Sequence, residues 1–193
     1  MIHVPPRVRG LIFDCDGTLA DTMPTHWKAW HETFAAYGKT CPHAFLERCM
    51  GVPSFEIVRL YNAEFGADLD PRKFSAEKDR RSQAGLPYVG PIVPVVDVVR
   101  RCRGRLPMAV ASGGVRLNVE MALQAIGLLG WFETILTADD DVPPKPSSAI
   151  FIEAARRLRV EPADCQVFED GEAGLEAARK AGMIVTDVRP YLT

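Results

Sequence analysis

Four short apolar runs in this sequence each break off on a residue able to do chemistry. Val8 to Phe13 (VRGLIF) ends on Asp14, and Met108 to Ala111 (MAVA) ends on Ser112. Glu133 to Leu136 leads through Thr137 into an acidic turn and Lys145, and Cys165 to Phe168 (CQVF) ends on Glu169 and Asp170. Runs this short, rich in Val, Ile, Leu and Phe without polar alternation, have the pattern of strands buried on both faces. Helical patterns separate several of them: Arg116 to Ile126 closing on Gly127, Ser148 to Leu158, and Glu172 to Ala181 closing on Gly182. A fifth run, Met183 to Val188, follows. Strands alternating with helices predict an α/β fold with a doubly wound parallel sheet, whose ligands sit beyond the carboxyl ends of the strands. Each run delivers its polar residue at that end.

The stretch from about Leu19 to Leu86 has a different character. Pro24 to Tyr37 is amphipathic, with Trp27, Trp30, Phe34 and Tyr37 at helical spacings; Ala44 to Met50, Phe55 to Phe65 and Arg72 to Ala84 read as three more helices. So long a segment cannot be a simple loop, and it predicts a helical cap (19–86) inserted into a core built from 1–18 and 87–193. Gly17 at one end, and Gly85 and Gly90 at the other, are candidate hinges.

Composition narrows the partners. Lys plus Arg (23) nearly balances Asp plus Glu (25), so no large basic field is on offer to nucleic acid or an anionic membrane. The five cysteines are an odd number without a Cys-x-x-Cys, which argues against a disulfide framework or a zinc site and suits a reducing compartment. Met1 to Gly10 has no apolar signal-peptide core, and no run approaches membrane-spanning length. The expectation is a soluble, cytoplasmic protein, monomeric by default, with no nucleic-acid or membrane partner.

The segment Leu11-Ile-Phe-Asp-Cys-Asp-Gly-Thr-Leu-Ala-Asp-Thr22 is the strongest chemical signal. Asp14 and Asp16 stand two apart at a strand end, on the same side of an extended chain. Two carboxylates so placed cannot both stay ionised cheaply without a cation between them or a shared proton. A hard divalent cation answers that, and Mg²⁺ is the usual choice where phosphate oxygens complete the octahedron. Ser112 precedes Gly113-Gly114, which favours an anion-binding turn. On the residues alone Lys145 is either a solvated loop lysine or one held inward between Pro144 and Pro146.

Asp-x-Asp-Gly-Thr-Leu-x-Asp-Thr resembles the first motif of the haloacid dehalogenase superfamily. Val110-Ala-Ser-Gly113 is similar to its second motif, Lys145-Pro146 to its third, and Phe168-Glu-Asp-Gly171 to its fourth. The resemblance spans essentially the whole chain. It is closest to the branch holding β-phosphoglucomutase and small sugar-phosphate phosphatases. It implies a Rossmann-like core, an inserted cap and a small phosphorylated metabolite, fructose 1-phosphate or 6-phosphogluconate-like, as substrate. Asp14 would be the nucleophile and a Mg²⁺ ligand, forming a phospho-aspartate. Asp16 would serve as acid and base and offer the metal its backbone carbonyl. Glu169 and Asp170 would complete the metal site, and Ser112, Gly113 and Lys145 would hold the phosphoryl oxygens. His26 matches a cap histidine near the substrate, whereas Trp30 at helical spacing reads first as core.

Two departures matter. The third motif usually continues Lys-Pro-x-Pro-Asp, whereas here it reads Lys145-Pro-Ser-Ser-Ala149, leaving Ser147 or Ser148 to cap the next helix. The mutase branch carries an Arg after a cap Gly-Val-x turn; Ser54 stands there in this chain. A serine cannot replace a bidentate guanidinium gripping a second phosphate, so hydrolysis is expected over mutase chemistry. A mutase, and a catalytically silent binding protein on the same fold, are the alternatives. Asp139 to Asp141 reads as a solvated loop, and the cysteines, including Cys15, as packing residues.

Overall fold

The computed structural model describes residues 1–192. Its centre is a five-stranded, wholly parallel sheet: β1 (Gly10–Phe13), β2 (Met108–Ala111), β3 (Thr134–Leu136), β4 (Cys165–Glu169) and β5 (Ile184–Asp187), in the order β3-β2-β1-β4-β5. The chain winds outward from β1 to one side through β2 and β3, then crosses back to β4 and β5. The switch point therefore falls between β1 and β4, where a doubly wound sheet opens its binding crevice. Phe13 pairs in register with Val110 on one side and Phe168 on the other. The Phe13 and Phe168 rings stack with centroids 4.6 Å apart. Asp14, Ser112 and Glu169 thus leave the sheet at nearly one level.

The three inner strands are fully buried, as all-apolar runs require, but β3 and β5 are half-buried because they form the sheet edges. Helices α5 (Val93–Cys102), α6 (Arg116–Ala125), α7 (Ala149–Leu158) and α8 (Glu172–Lys180) flank the sheet. One apolar layer gathers Leu11, Phe13, Val96, Val99, Val110 and Leu123, and the opposite layer Ile12, Ala109, Phe151, Ala154, Val167 and Ala178. Alternate residues of β1 serve opposite layers, which is why every residue of that strand must be apolar.

The sequence reading does not include α5. Its valines favour strands intrinsically, yet Val95, Val96, Val98 and Val99 recur at helical spacing and are wholly buried. Tertiary burial outweighs the modest β preference of branched side chains.

Four helices lie between β1 and α5: α1 (Met23–Ala36), α2 (His43–Arg48), α3 (Ser54–Phe65) and α4 (Pro71–Ser82). They close on an apolar cluster of their own, which includes Trp30, Phe34, Phe45, Tyr61 and Phe74. Phe34 is its hub, with ring centroids 4.5 Å from Tyr61 and 4.7 Å from Phe74. Leu19, Ala20 and Leu86, at the ends of this segment, pack instead with the sheet. Its two connections run side by side, since Ala20 bridges Pro91 and the Asp21 amide donates to the Gly90 carbonyl at 2.9 Å.

Removing the Phe34 ring should empty the middle of this cluster. Phe34→Ala is expected to lower unfolding free energy by about 3–5 kcal/mol. Phe55→Ala, at an exposed ring, should stay within about 0.5 kcal/mol of the parent. Urea titration of both variants checks the pair; equal effects would refute the assignment of Phe34 as the hub.

Candidate active site

The sheet's carboxyl edge brings Asp14, Glu169, Asp170 and Lys145 together in a dry setting, each no more than 3% exposed. Asp14 follows β1, Glu169 ends β4, and Lys145 arrives from the loop after β3. The Lys145 ammonium donates to Asp14 Oδ1 at 2.8 Å and to Glu169 Oε2 at 2.7 Å. Of the two readings left open for Lys145, the structure takes the inward one. The other Glu169 oxygen accepts from the Gly171 amide at 3.0 Å, and Asp170 Oδ1 accepts from the Thr18 hydroxyl at 2.8 Å.

Charge is unbalanced here. Three buried carboxylates face one lysine. Burial, reinforced by Glu169, pushes the Asp14 carboxyl well above the ordinary range even against Lys145. Burial and Glu169 likewise push Asp170 up to about 7, with the Thr18 bond opposing. Lys145 moves the other way: burial alone would lower it, but Asp14 and Glu169 hold it above its usual value. One oxygen from each of Asp14, Glu169 and Asp170 lies within 4.8 Å of the others. An all-oxygen, over-anionic cluster of this size fits a hard divalent cation such as Mg²⁺, whose charge would offset the surplus.

Asp16 lines the same cavity as Asp14 but in a different electrostatic environment. Burial would raise its carboxyl, but His26, then Thr22 and Lys78, outweigh that and hold it well below the ordinary range. The Thr22 hydroxyl donates to Oδ1 at 2.7 Å, and His26 Nε2 is 2.9 Å from the same oxygen. Lys78 Nζ lies 3.1 Å from His26 Nδ1. Because an ammonium only donates, Nδ1 accepts, and Nε2 therefore carries the hydrogen that points at Asp16. His26 thus touches Asp16 and Lys78 and also lines the cavity on which Asp14 and Asp16 open. Lys78 was not legible in the sequence; within Pro71–Ser82 it looks like one more charge on a solvated helix face, yet it is 4% exposed.

Asp14 and Asp16 open on one cavity, lined from the core by Ser112, Gly113 and Asn118 and from the helical segment by residues that include His26, Trp30 and Lys78. Trp30 is both core and wall, its ring 5.0 Å from the Lys78 ammonium. Ser112 is buried, and its Oγ accepts from the Gly114 amide at 3.0 Å, closing the expected tight turn. Gly113 answers a further demand. A Cβ there would meet the Gly51 carbonyl oxygen at 2.5 Å, and one at Gly171 would meet the Met50 carbonyl at 2.8 Å. The Met50-Gly51 turn therefore rests on core backbone at two points.

Ser148 stands at the N-cap of α7 without a side-chain cap bond, and Ser147 Oγ accepts from the Ala149 amide at 3.3 Å instead. The acidic turn is solvated at Asp139 and Asp141, which are exposed, and is also tethered: Asp139 accepts from the Arg116 amide at 2.6 Å, and the half-buried Asp140 binds Thr137, Arg116 and Arg157. Cys15 is buried in the apolar layer, and burial pushes its thiol well up, as an inert packing residue requires.

A family model described as haloacid dehalogenase-like hydrolase matches residues 8–182. The chain is 39% identical to fructose-1-phosphate phosphatase YqaB of Escherichia coli, over 95% of this chain and 97% of that protein. Among solved structures, CbbY from Rhodobacter sphaeroides in complex with phosphate superimposes with a TM-score of 0.80 at 27% identity, covering 93% of this chain and 86% of that one. β-Phosphoglucomutase from Clostridium difficile shares the fold, with a TM-score of 0.81 at 22% identity and coverage of 93% and 84%.

A Cβ on Gly174, in the first turn of α8, would overlap the Glu169 carboxylate. Gly174→Ala should therefore push Glu169 away from Asp14 and Lys145 while favouring the helix itself by up to about 1 kcal/mol. The expected result is a folded protein whose Mg²⁺ affinity falls about 10- to 100-fold, read by calorimetry. Unchanged affinity would show that the Glu169 position is immaterial.

Proposed function

Because the chain belongs to the haloacid dehalogenase-like hydrolase family and is a phosphoric monoester hydrolase, we propose that it is a Mg²⁺-dependent sugar-phosphate phosphatase working through a phospho-aspartate on Asp14. The observation that carries this reading is Asp14 itself. It is a buried carboxylate at the sheet switch point, gripped by Lys145, beside two further acids, and it opens on a cavity that Asp16 also lines. The sugar phosphate rests on the likeness to the Escherichia coli fructose-1-phosphate phosphatase along nearly its whole length.

In this mechanism an Asp14 oxygen attacks phosphorus and the ester P–O bond breaks. The departing alcohol takes a proton from Asp16, which enters this step as the carboxylic acid and leaves it as a carboxylate facing His26 Nε2–H, the two heavy atoms 2.9 Å apart. Water then attacks the phospho-aspartate, passes its proton to Asp16, and inorganic phosphate leaves with Asp14 restored. The ionised Asp16 that His26 and Thr22 favour is the form that accepts this proton. Ser112, the Gly113 turn and Lys145 hold the phosphoryl oxygens in line. Mg²⁺ held by Asp14, Glu169 and Asp170, with the Asp16 carbonyl, would neutralise charge on the transferring group. Residues 19–86 act as the cap that shuts water out of the cleft. All five cysteines are free, in keeping with a cytoplasmic setting. No helix among the described residues is long and apolar enough to cross a membrane.

Asp14→Asn should abolish phosphate release, by at least about a thousandfold, because an amide does not attack phosphorus. Its fold should survive, since the site already disfavours the ionised carboxylate. Near-normal turnover of p-nitrophenyl phosphate by this variant would refute the phospho-aspartate.

Metal dependence has two readouts. Dialysis against EDTA should remove activity and MgCl₂ should return it. Independently, Mg²⁺ should raise the melting temperature of the parent and do so less for Asp170→Asn, because binding favours only the folded state. Full activity in excess EDTA would overturn the metal role.

A further inference from the structure

The cap end of the cleft carries a carboxylate that the chemistry above leaves unused. Asp79, near the end of α4, is buried and lines the cavity together with Ser54, Lys78 and Asn118. All its side-chain hydrogen bonds fall on one oxygen: the Ser54 hydroxyl donates to Oδ1 at 2.8 Å, and Lys78 Nζ donates to it at 3.3 Å. Oδ2 has no partner among the described residues. Neither is it one of the side-chain atoms sealed from solvent without a partner, which are Arg81 Nε and Gln166 Oε1. The backbone beneath it is fixed. Asn118 Nδ2 donates to the Asp79 carbonyl at 3.1 Å and to Ser82 Oγ at 3.0 Å, while Asn118 Oδ1 accepts from Gln83 Nε2 at 3.1 Å.

The neighbouring cation has nothing to spare. An ammonium has three donors, and Lys78 directs them to His26 Nδ1, Ser54 Oγ and Asp79 Oδ1 at 3.1, 3.4 and 3.3 Å. No arginine and no second lysine lines this cavity among the described residues. A carboxylate oxygen only accepts, so the group it welcomes is a donor, and on a sugar phosphate the donors are hydroxyls. A phosphoryl or carboxylate brought beside it has no hydrogen to give and meets like charge, which discriminates strongly in a confined cleft.

Building on the phosphatase reading of Asp14, we infer that Asp79 Oδ2 accepts a hydrogen bond from a hydroxyl at the substrate end remote from the reacting phosphate. Its charge excludes molecules bearing a second anionic group at that end. The substrate class is then a hydroxylated monophosphate, not a bisphosphate and not a phosphorylated sugar acid. Of the two substrate types that the sequence allowed, this selects the fructose 1-phosphate type over the 6-phosphogluconate type, whose carboxylate would face Asp79.

Fructose 1-phosphate and fructose 1,6-bisphosphate make a matched pair, because either orientation of the bisphosphate leaves a phosphate at the cap end. With Mg²⁺, kcat/KM for the parent should favour the monophosphate by about 100-fold or more. Asp79→Asn should shrink that ratio at least about tenfold, chiefly by lowering KM for the bisphosphate. Inhibition of p-nitrophenyl phosphate turnover by the same two ligands gives their relative affinities in the parent without any variant. The inference is overturned if the parent treats the pair alike in rate and inhibition, or if Asp79→Asn folds and leaves the ratio unchanged. Those outcomes leave the phosphatase reading standing as long as p-nitrophenyl phosphate is hydrolysed. A parent that hydrolyses no ester at all would end both.

Discussion

The ammonium of Lys145, wedged between Asp14 and Glu169, is the contact on which the rest of the site is arranged. It joins a loop to the ends of two neighbouring strands inside a region that admits almost no water. A buried cation with two anionic partners is well compensated, but the same enclosure keeps a surplus of negative charge beside it. That surplus makes the pocket attractive to a divalent cation and, together with burial, holds the Asp14 and Asp170 carboxyls above the ordinary range. The sheet makes this possible: β1 and β4 pair in register, so the acids that follow them emerge together, and the stacked phenyl rings beneath keep the floor dry.

From that centre a line of polar contacts leads into the helical segment: Asp16 to His26, His26 to Lys78, Lys78 to Asp79, and Asp79 to Ser54. Asp16 and Asp79 are the anions of this line and Lys78 its cation, with His26 the neutral relay whose Nε2–H faces Asp16 and whose Nδ1 accepts from Lys78. The protonation of Asp16 and the placement of Lys78 are consequently linked, and lifting α4 would disturb both. The polar contacts at the sheet edge and those of α4 therefore form one continuous chain.

The sheet and the residues on its edge were legible because their signals are local. An unbroken apolar run followed by Asp, Ser or Glu-Asp announces both the strand and the face it opens on. Asp16 was found for the same reason. The cap contribution was not legible, because Lys78 and Asp79 stand in a run of alternating charges that any solvated helix could carry. Only the packing of α4 against α1, and its tether through Asn118, turns those two residues inward. The valine-rich α5 escaped because branched residues favour strands in isolation. The tethering of Asp140 was not legible because nothing nearby in sequence reveals Arg116 and Arg157 as its partners.

The Met50-Gly51 turn meets Gly113 and Gly171 through main-chain atoms, with no side chain intervening at either point. A seat made of backbone does not depend on side chains elsewhere in the helical segment. Ser54 and Asp79 form no part of it, so exchanging them would leave that contact in place while altering the polar line that runs through Lys78 and His26 to Asp16. The contact of the helical segment with the sheet is thereby set by main-chain shape at Gly113 and Gly171, and the polar wall of the cleft above it by side chains of α3 and α4.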